Sequence, residues 1–308
     1  MARKLRVEYP GAVYHVMNRG DRREPIFQDD QDRKRFIETL AECCAKTRWQ
    51  MHAYVLMPNH FHLVVETPRA NLVPGMKWFL GTYTSRFNRR HKLFGHLFSG
   101  RYKALIVDGS GTGYLRTVCD YVHLNPARAK LLKPEQPLRE YPWSSWPDYL
   151  RMPAKRAEWL RVDRLLGEYR IAQDSVAGRR RLEEAMEERR GAEEGVIGYR
   201  AIRRGWFLGE EALKKELLAQ MGKGFGAHHG GEERQESAEQ QAEGLIREEL
   251  DRLGWDEAEL KRQRKGERRK VRIARRLRAE TTMTLGWIAE RLRMGSASMV
   301  AHCLRQEG

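Results

Sequence analysis

Residues 58–66 read Pro58-Asn-His-Phe-His-Leu-Val-Val-Glu66, and the fold of the N-terminal half follows from how this stretch is read. Pro-Asn is a turn signal, and the residues behind it run as a strand. On a strand, positions i and i+2 share a face, so His60 and His62 look the same way while Phe61 turns into the other layer. The turn hairpins this strand to Met51–Met57 just before it. Gly11-Ala-Val-Tyr-His-Val-Met-Asn18 alternates as an earlier strand, and 29–49 has helical periodicity behind an Asp-rich cap. Residues 71–90 read as a helix, 101–108 as a fourth strand, and 113–124 as a helix stopped by Asn125-Pro126. The order β-α-β-β-α-β predicts an α+β class: a ferredoxin-like split βαβ antiparallel sheet with helices on one face. A mostly α-helical C-terminal region follows it.

The chain of 308 residues carries a formal charge of +16, from 58 Lys and Arg against 42 Asp and Glu. That balance points to an anionic polymer or surface. No apolar run approaches the ~20 residues that span a bilayer, and no signal-peptide pattern opens the sequence. Nucleic acid is therefore the expected partner, with no membrane contact and a cytoplasmic, nucleoid-associated location. Cys43, Cys44, Cys119 and Cys303 form no CxxC pair, which predicts packing residues rather than a disulfide framework or zinc knuckle. A phosphate-binding G-x-x-x-x-G-K-[ST] loop is missing, so no nucleotide cofactor is expected.

Strand-like and aromatic material ends near residue 150, which sets the first domain at 1–150. Residues 151–221 read as a charged helical extension whose segment 179–190 is a solvated face. Residues 222–241, Gly-rich and then Glu/Gln-rich, read as a flexible linker, and the adjacent His228-His229 in it as solvated. Residues 242–308 read as a helical domain. There Thr284 caps an amphipathic helix, Arg293-Met-Gly295 turns, and Ser296 opens a second helix with Ser298 in its first turn. Two short helices about a Gly-containing turn are a helix-turn-helix pattern, and the basic run 272–278 before it favours DNA over a plain helical hairpin.

Two imidazoles on one strand face make an i,i+2 chelate, which alone holds a divalent metal weakly. The helix that follows offers Asp120, Tyr121, His123 and, at its end, Asn125; residues four apart share a helix face, so Tyr121 and Asn125 can face the sheet together. The plain alternative is a pair of satisfied core histidines beside a packing tyrosine. Arg19 and Arg22, Arg86 and Arg90, and Arg101 and Lys103 are candidate phosphate contacts. Trp143 and Trp146 are candidates either for stacking on bases or for pinning the closing segment to the core.

The blocks Tyr14-His-Val-Met-Asn-Arg-Gly20, Leu56-Met-Pro-Asn-His-Phe-His-Leu63, Leu97-Phe-Ser-Gly-Arg-Tyr-Lys103, Asp120-Tyr-Val-His-Leu-Asn-Pro-Ala-Arg-Ala129 and Tyr141-Pro-Trp-Ser-Ser145 resemble the HUH single-tyrosine transposases of small insertion sequences. They are more similar still to the REP-associated tyrosine transposases, over about half the chain. The resemblance implies a DNA transposase and single-strand nickase-ligase acting on single-stranded or hairpin DNA. It assigns Tyr121 as nucleophile and His60, His62 and Asn125 as ligands of Mg²⁺ or Mn²⁺; some insertion-sequence members carry Gln where Asn125 stands. A free tyrosine hydroxyl titrates near ~10, and a cation on the scissile phosphate would supply the help that attack needs. Attack would give a 5′-phosphotyrosine and a free 3′-hydroxyl, and rejoining needs no ATP. The family includes homodimers and monomers, so a homodimer is one expected state. The rival readings are a catalytically inactive DNA-binding regulator using the same basic surface, and a phosphoesterase in which the histidines activate water.

Overall fold

Ala12–Arg19 form β1, Asp30–Thr47 α1, Gln50–Met57 β2, His60–Thr67 β3, Leu72–His91 α2 and Lys103–Val107 β4. The computed structural model describes residues 7–111, 113–192, 199, 202, 205–223 and 232–306 of the chain. The strands lie in the order β2-β3-β1-β4 with every neighbour antiparallel, the split βαβ sheet expected from the sequence. A fifth strand, β5 (Phe207–Leu208), adds to β4 in parallel, so the whole sheet is mixed. Two residues are too few to leave a period in the sequence.

β3 alternates as its pattern dictates. Phe61 is buried against Phe36 of α1 (ring centroids 5.0 Å apart) and Phe79 of α2 (6.3 Å), while His60 and His62 emerge on the opposite face. Phe36 also meets Tyr83 at 4.9 Å, and full burial of such side chains is worth about 1.5–3 kcal/mol each. Asp29 caps α1 by accepting from the Asp32 N–H at 3.0 Å. Arg90, near the end of α2, pairs with both Asp29 and Asp32 at 2.5 Å.

Helices on one face describe α1 and α2 but not α3 (Tyr114–His123) and the short α4 (Asn125–Arg128), which lie against the histidine face. The reason is in the register. Val55 is opposite His62, and Val64 and Leu105 flank His15; all three apolar residues are buried, so this face needs a cover as the other does.

The outer edge of β2 is sealed by the closing segment. Leu56 N–H donates to the Trp143 carbonyl at 2.8 Å, Ser145 N–H to the Tyr54 carbonyl at 2.9 Å, and the Tyr141 hydroxyl to the Leu56 carbonyl at 2.6 Å. This row of bonds withdraws an edge that would otherwise template association. Trp146 is fully buried against His123, which resolves its role as packing.

Two compact units divide the chain, residues 1–44, 48–70 and 79–224 in one and residues 45–47, 71–78 and 225–308 in the other. The first also contains α5 (Trp146–Leu150), α6 (Asp163–Glu168), α7 (Val176–Gly191) and α8 (Glu211–Lys223). The charged helix read as solvated is α7, and its inner side is not: Leu182 and Met186 are inaccessible, and Arg189 pairs with buried Asp120 at 3.1 Å.

In the second unit, α9 (Glu232–Leu253), α10 (Glu257–Arg262), α11 (Arg268–Glu280), α12 (Leu285–Arg291) and α13 (Ala297–Gln306) surround a core that includes Ile246, Leu260, Ile273, Leu277, Ile288 and Val300. Residues 232–241, read as linker, are instead the first turns of α9: Glu, Gln and Ala are strong helix formers, and the helix is anchored farther on by buried Ala242 and Ile246. The remainder, 224–231 with His228 and His229, lies outside the described residues. Thr284 and Ser296 cap α12 and α13, accepting from the Trp287 and Met299 N–H groups at 3.1 and 3.2 Å, and Gly295 between them takes φ 92°, which only glycine adopts without strain. Among the described residues no helix is long and apolar enough to cross a membrane.

Candidate histidine–tyrosine site

Register and topology place three imidazoles and one phenol together. Met17 pairs with His62 and Arg19 with His60 across β1 and β3, so His15, His60 and His62 share the face that α3 covers. His15 Nε2 lies 2.9 Å from His62 Nδ1, and the His60 and His62 rings are 5.1 Å apart. The Tyr121 ring stands edge-on to both His15 and His62, 5.7 Å from each. Tyr121 is 7% exposed, and its hydroxyl makes no hydrogen bond to any described residue.

Electrostatics keep these imidazoles neutral. Burial pulls His15 down to about 4. Burial, and then the Arg19 charge, do the same to His60, also to about 4. His62 falls well below the ordinary histidine value through burial, with its two histidine neighbours, Arg128 and Arg19 adding to the effect. A neutral imidazole is the form that ligates metal.

The donor set fits a divalent cation. His62 Nδ1 is held by His15 and His60 Nδ1 lies 2.8 Å from Asn59 Oδ1, which leaves the Nε2 atom of each ring without a hydrogen-bond partner among the described residues. Fixing one ring nitrogen by an outer partner is how proteins orient imidazole ligands. Asn125 is 9% exposed at the start of α4, and its side-chain amide bonds to no described residue. No three His, Cys, Asp or Glu side chains gather as a metal-holding group among the described residues.

Two further residues belong to the site. The Arg128 guanidinium lies 4.2 Å over the Tyr121 ring and 4.9 Å over the Tyr199 ring, and it donates to the Tyr121 carbonyl. Tyr199 packs on Tyr121 at 5.0 Å. Arg128 had a sequence signal: it stands seven residues after Tyr121, two helical turns on along the same face. Nothing local marks Tyr199.

The other candidates divide by burial and pairing. Asp120 is fully buried, accepts from the Tyr169 hydroxyl at 2.8 Å and pairs with Arg189, so it faces away from the histidines. His123 also points away, its Nε2 2.8 Å from Ser145 Oγ. Arg19, Arg22, Arg101 and Lys103 are exposed, with Arg19 and Lys103 on the histidine face by register. Arg86 and Arg90 lie on α2 beneath the opposite face, bound to Glu42 and to Asp29 and Asp32 respectively. Ser296 and Ser298 are exposed at the start of α13. In the second unit Arg276 is engaged by Glu248, Glu249 and Glu280, so the basic run there presents less free charge than its sequence suggests.

The family model described as "Transposase IS200 like" matches residues 9–125, which span every strand from β1 to β4 and both His60–His62 and Tyr121. No curated protein matches the chain. Among solved structures, a REP-associated tyrosine transposase bound to a REP hairpin is similar at 14% identity and a TM-score of 0.41, over 52% of this chain and 91% of that one.

Proposed function

We propose, from the match of residues 9–125 to the IS200-like transposase family model, that the chain is a metal-dependent strand transferase that cuts single-stranded or hairpin DNA through Tyr121. The observation that supports it most is the phenol of Tyr121, unbonded at its hydroxyl among the described residues, packed 5.7 Å from the paired rings of His15 and His62. In this reading the Tyr121 oxygen bonds to phosphorus as the bond to the 3′ oxygen breaks. The phenol proton leaves to solvent and the departing oxygen takes one up, giving a 5′-phosphotyrosine and a 3′-hydroxyl. Arg128, a fixed cation over the ring, stabilises negative charge that develops on the phenol. Arg19, Arg101 and Lys103 hold the DNA backbone. A divalent cation, held by His60, His62 and Asn125, would polarise the phosphate and neutralise charge on its oxygens. The C-terminal helices, with Ser296 and Ser298 at the start of α13, add DNA binding in helix-turn-helix fashion.

The test is a covalent adduct. Wild-type protein with Mn²⁺ and labelled hairpins taken from the DNA flanking its gene should give a denaturant-resistant protein–DNA species. Tyr121→Phe should give none while still shifting the same DNA in a gel. No adduct from wild type would favour the inactive regulator, and nicking that survives Tyr121→Phe would favour a phosphoesterase.

A further inference from the structure

Phe94 is 97% exposed. A phenyl ring left in water forgoes the free energy of burial, so folding gains nothing from this side chain. The ring is not on a loose tail. Leu93 N–H donates to the Asn88 carbonyl at 2.9 Å and Asn88 Nδ2 to the Gly95 carbonyl at 3.0 Å, closing the loop on both sides of Phe94. Lys92 and Gly95 adopt φ 55° and 88°, the left-handed conformations that turn the chain sharply here.

The same loop is tied to the candidate catalytic face. Ser99 N–H donates to the Arg19 carbonyl at 2.9 Å, Asp21 N–H donates to the Leu97 carbonyl at 3.0 Å, and Arg19 is the register partner of His60. From Thr67 to Val107 the sequence holds eight Lys and Arg and no Asp or Glu. Arg86 and Arg90 of these are spent on α1, whereas Arg89, Lys92, Arg101 and Lys103 are exposed. Beside the loop runs an open groove of about 360 Å³ whose walls include Gly81, Thr84 and Ser85 of α2 and His96, Leu97 and Gly100. Glycines and hydroxyls leave room and hydrogen-bonding capacity there.

We propose that Phe94 is a stacking platform for an unpaired base of single-stranded DNA, with the groove and the flanking cations receiving the sugar-phosphate backbone. It rests on the reading of the chain as a DNA-processing enzyme. Aromatic rings among cations are how proteins grip single strands without reading sequence. A protein-docking patch is less well matched, because apart from Leu93 the exposed neighbours of Phe94 are cationic, imidazole or glycine rather than apolar.

The experiment measures full-length protein binding to a labelled oligothymidylate and to a blunt duplex, and quenching of 2-aminopurine placed in a mixed-sequence single strand. Phe94→Ala is expected to weaken single-strand binding roughly 5- to 150-fold and to abolish the quenching, with duplex binding and Tm unchanged. Phe94→Trp should restore both. Equal binding by wild type and Phe94→Ala overturns the platform while leaving the enzyme reading intact, and so does an equal loss on single strand and duplex. A change in self-association without a change in DNA binding also overturns it, in favour of a protein interface. Wild type that binds neither DNA sinks the enzyme reading itself.

Discussion

His15, His60 and His123 make the stability of the fold depend on pH. Burial lowers the first two to about 4 and His123 to about 3, from an ordinary 6.5. Between those values the unfolded chain binds more protons than the folded one, so stability rises with pH across the window. The cost begins as pH falls below ~6.5 and is complete near ~3–4. Thermal melts should therefore show a lower Tm at pH ~5 than at pH ~7, and coincident melts would mean that these rings are not buried neutral. Arg128 makes the second residue-scale prediction. Arg128→Ala removes a cation–π contact worth about 0.5–2 kcal/mol; adduct formation should slow while DNA binding holds, and Arg128→Lys should rescue poorly, because a compact ammonium does not stack as the planar guanidinium does. Gel assays of adduct rate check it, and wild-type rates in the alanine variant would exclude Arg128 from the site. Of this residue-level picture, the histidine pair and Tyr121 were legible, because spacing on a strand and position on a helix are local properties. The His15–His62 bond was not, since the partners sit on different strands and only their register brings them to 2.9 Å.

At the level of elements, Gly20 is where three pieces of chain converge. Its N–H donates to the Asn59 carbonyl at 2.9 Å in the turn that precedes His60, and it bridges to Phe98. A Cβ there would stand 2.1 Å from the Glu24 carbonyl oxygen and 3.0 Å from Ile26 Cγ2, and backbone cannot yield as a side chain does. Gly20→Ala is expected to cost about 1–3 kcal/mol in urea unfolding and to reduce adduct formation by displacing the His60 turn; a loss under ~0.5 kcal/mol would mean that the loop relaxes freely. The strands and the helices beside them were readable because their periods are 2 and 3.6. β5 was not, being two residues long, and neither was the face that α3 covers, since an amphipathic helix specifies that it must pack but not on what.

Over the whole molecule, the histidine–tyrosine site and the capped helices α12 and α13 belong to separate compact units, and the proposed function assigns cleavage to the first and added DNA binding to the second. Placing negative charge at the start of α13, as Ser296→Glu with Ser298→Glu, should weaken binding to duplex or hairpin DNA by about tenfold near physiological salt and leave adduct yield on a short single strand unchanged. Salt titrations of both probes measure it, and an equal loss on both would place the single strand on α13 as well. The sequence by itself determined the α+β class, the β-α-β-β-α-β order, the common face of His60 and His62, the caps at Asp29, Thr284 and Ser296 and the basic character, all of which follow from neighbours a few positions apart. Only the tertiary structure decided that α3 would cross to the histidine face, that Arg86, Arg90, Arg189 and Arg276 would be consumed in ion pairs, and that Arg128 and Tyr199 would close on Tyr121. The reason is physical: periodicity fixes which side of an element is buried, whereas the partner it meets is chosen by how all the elements pack at once.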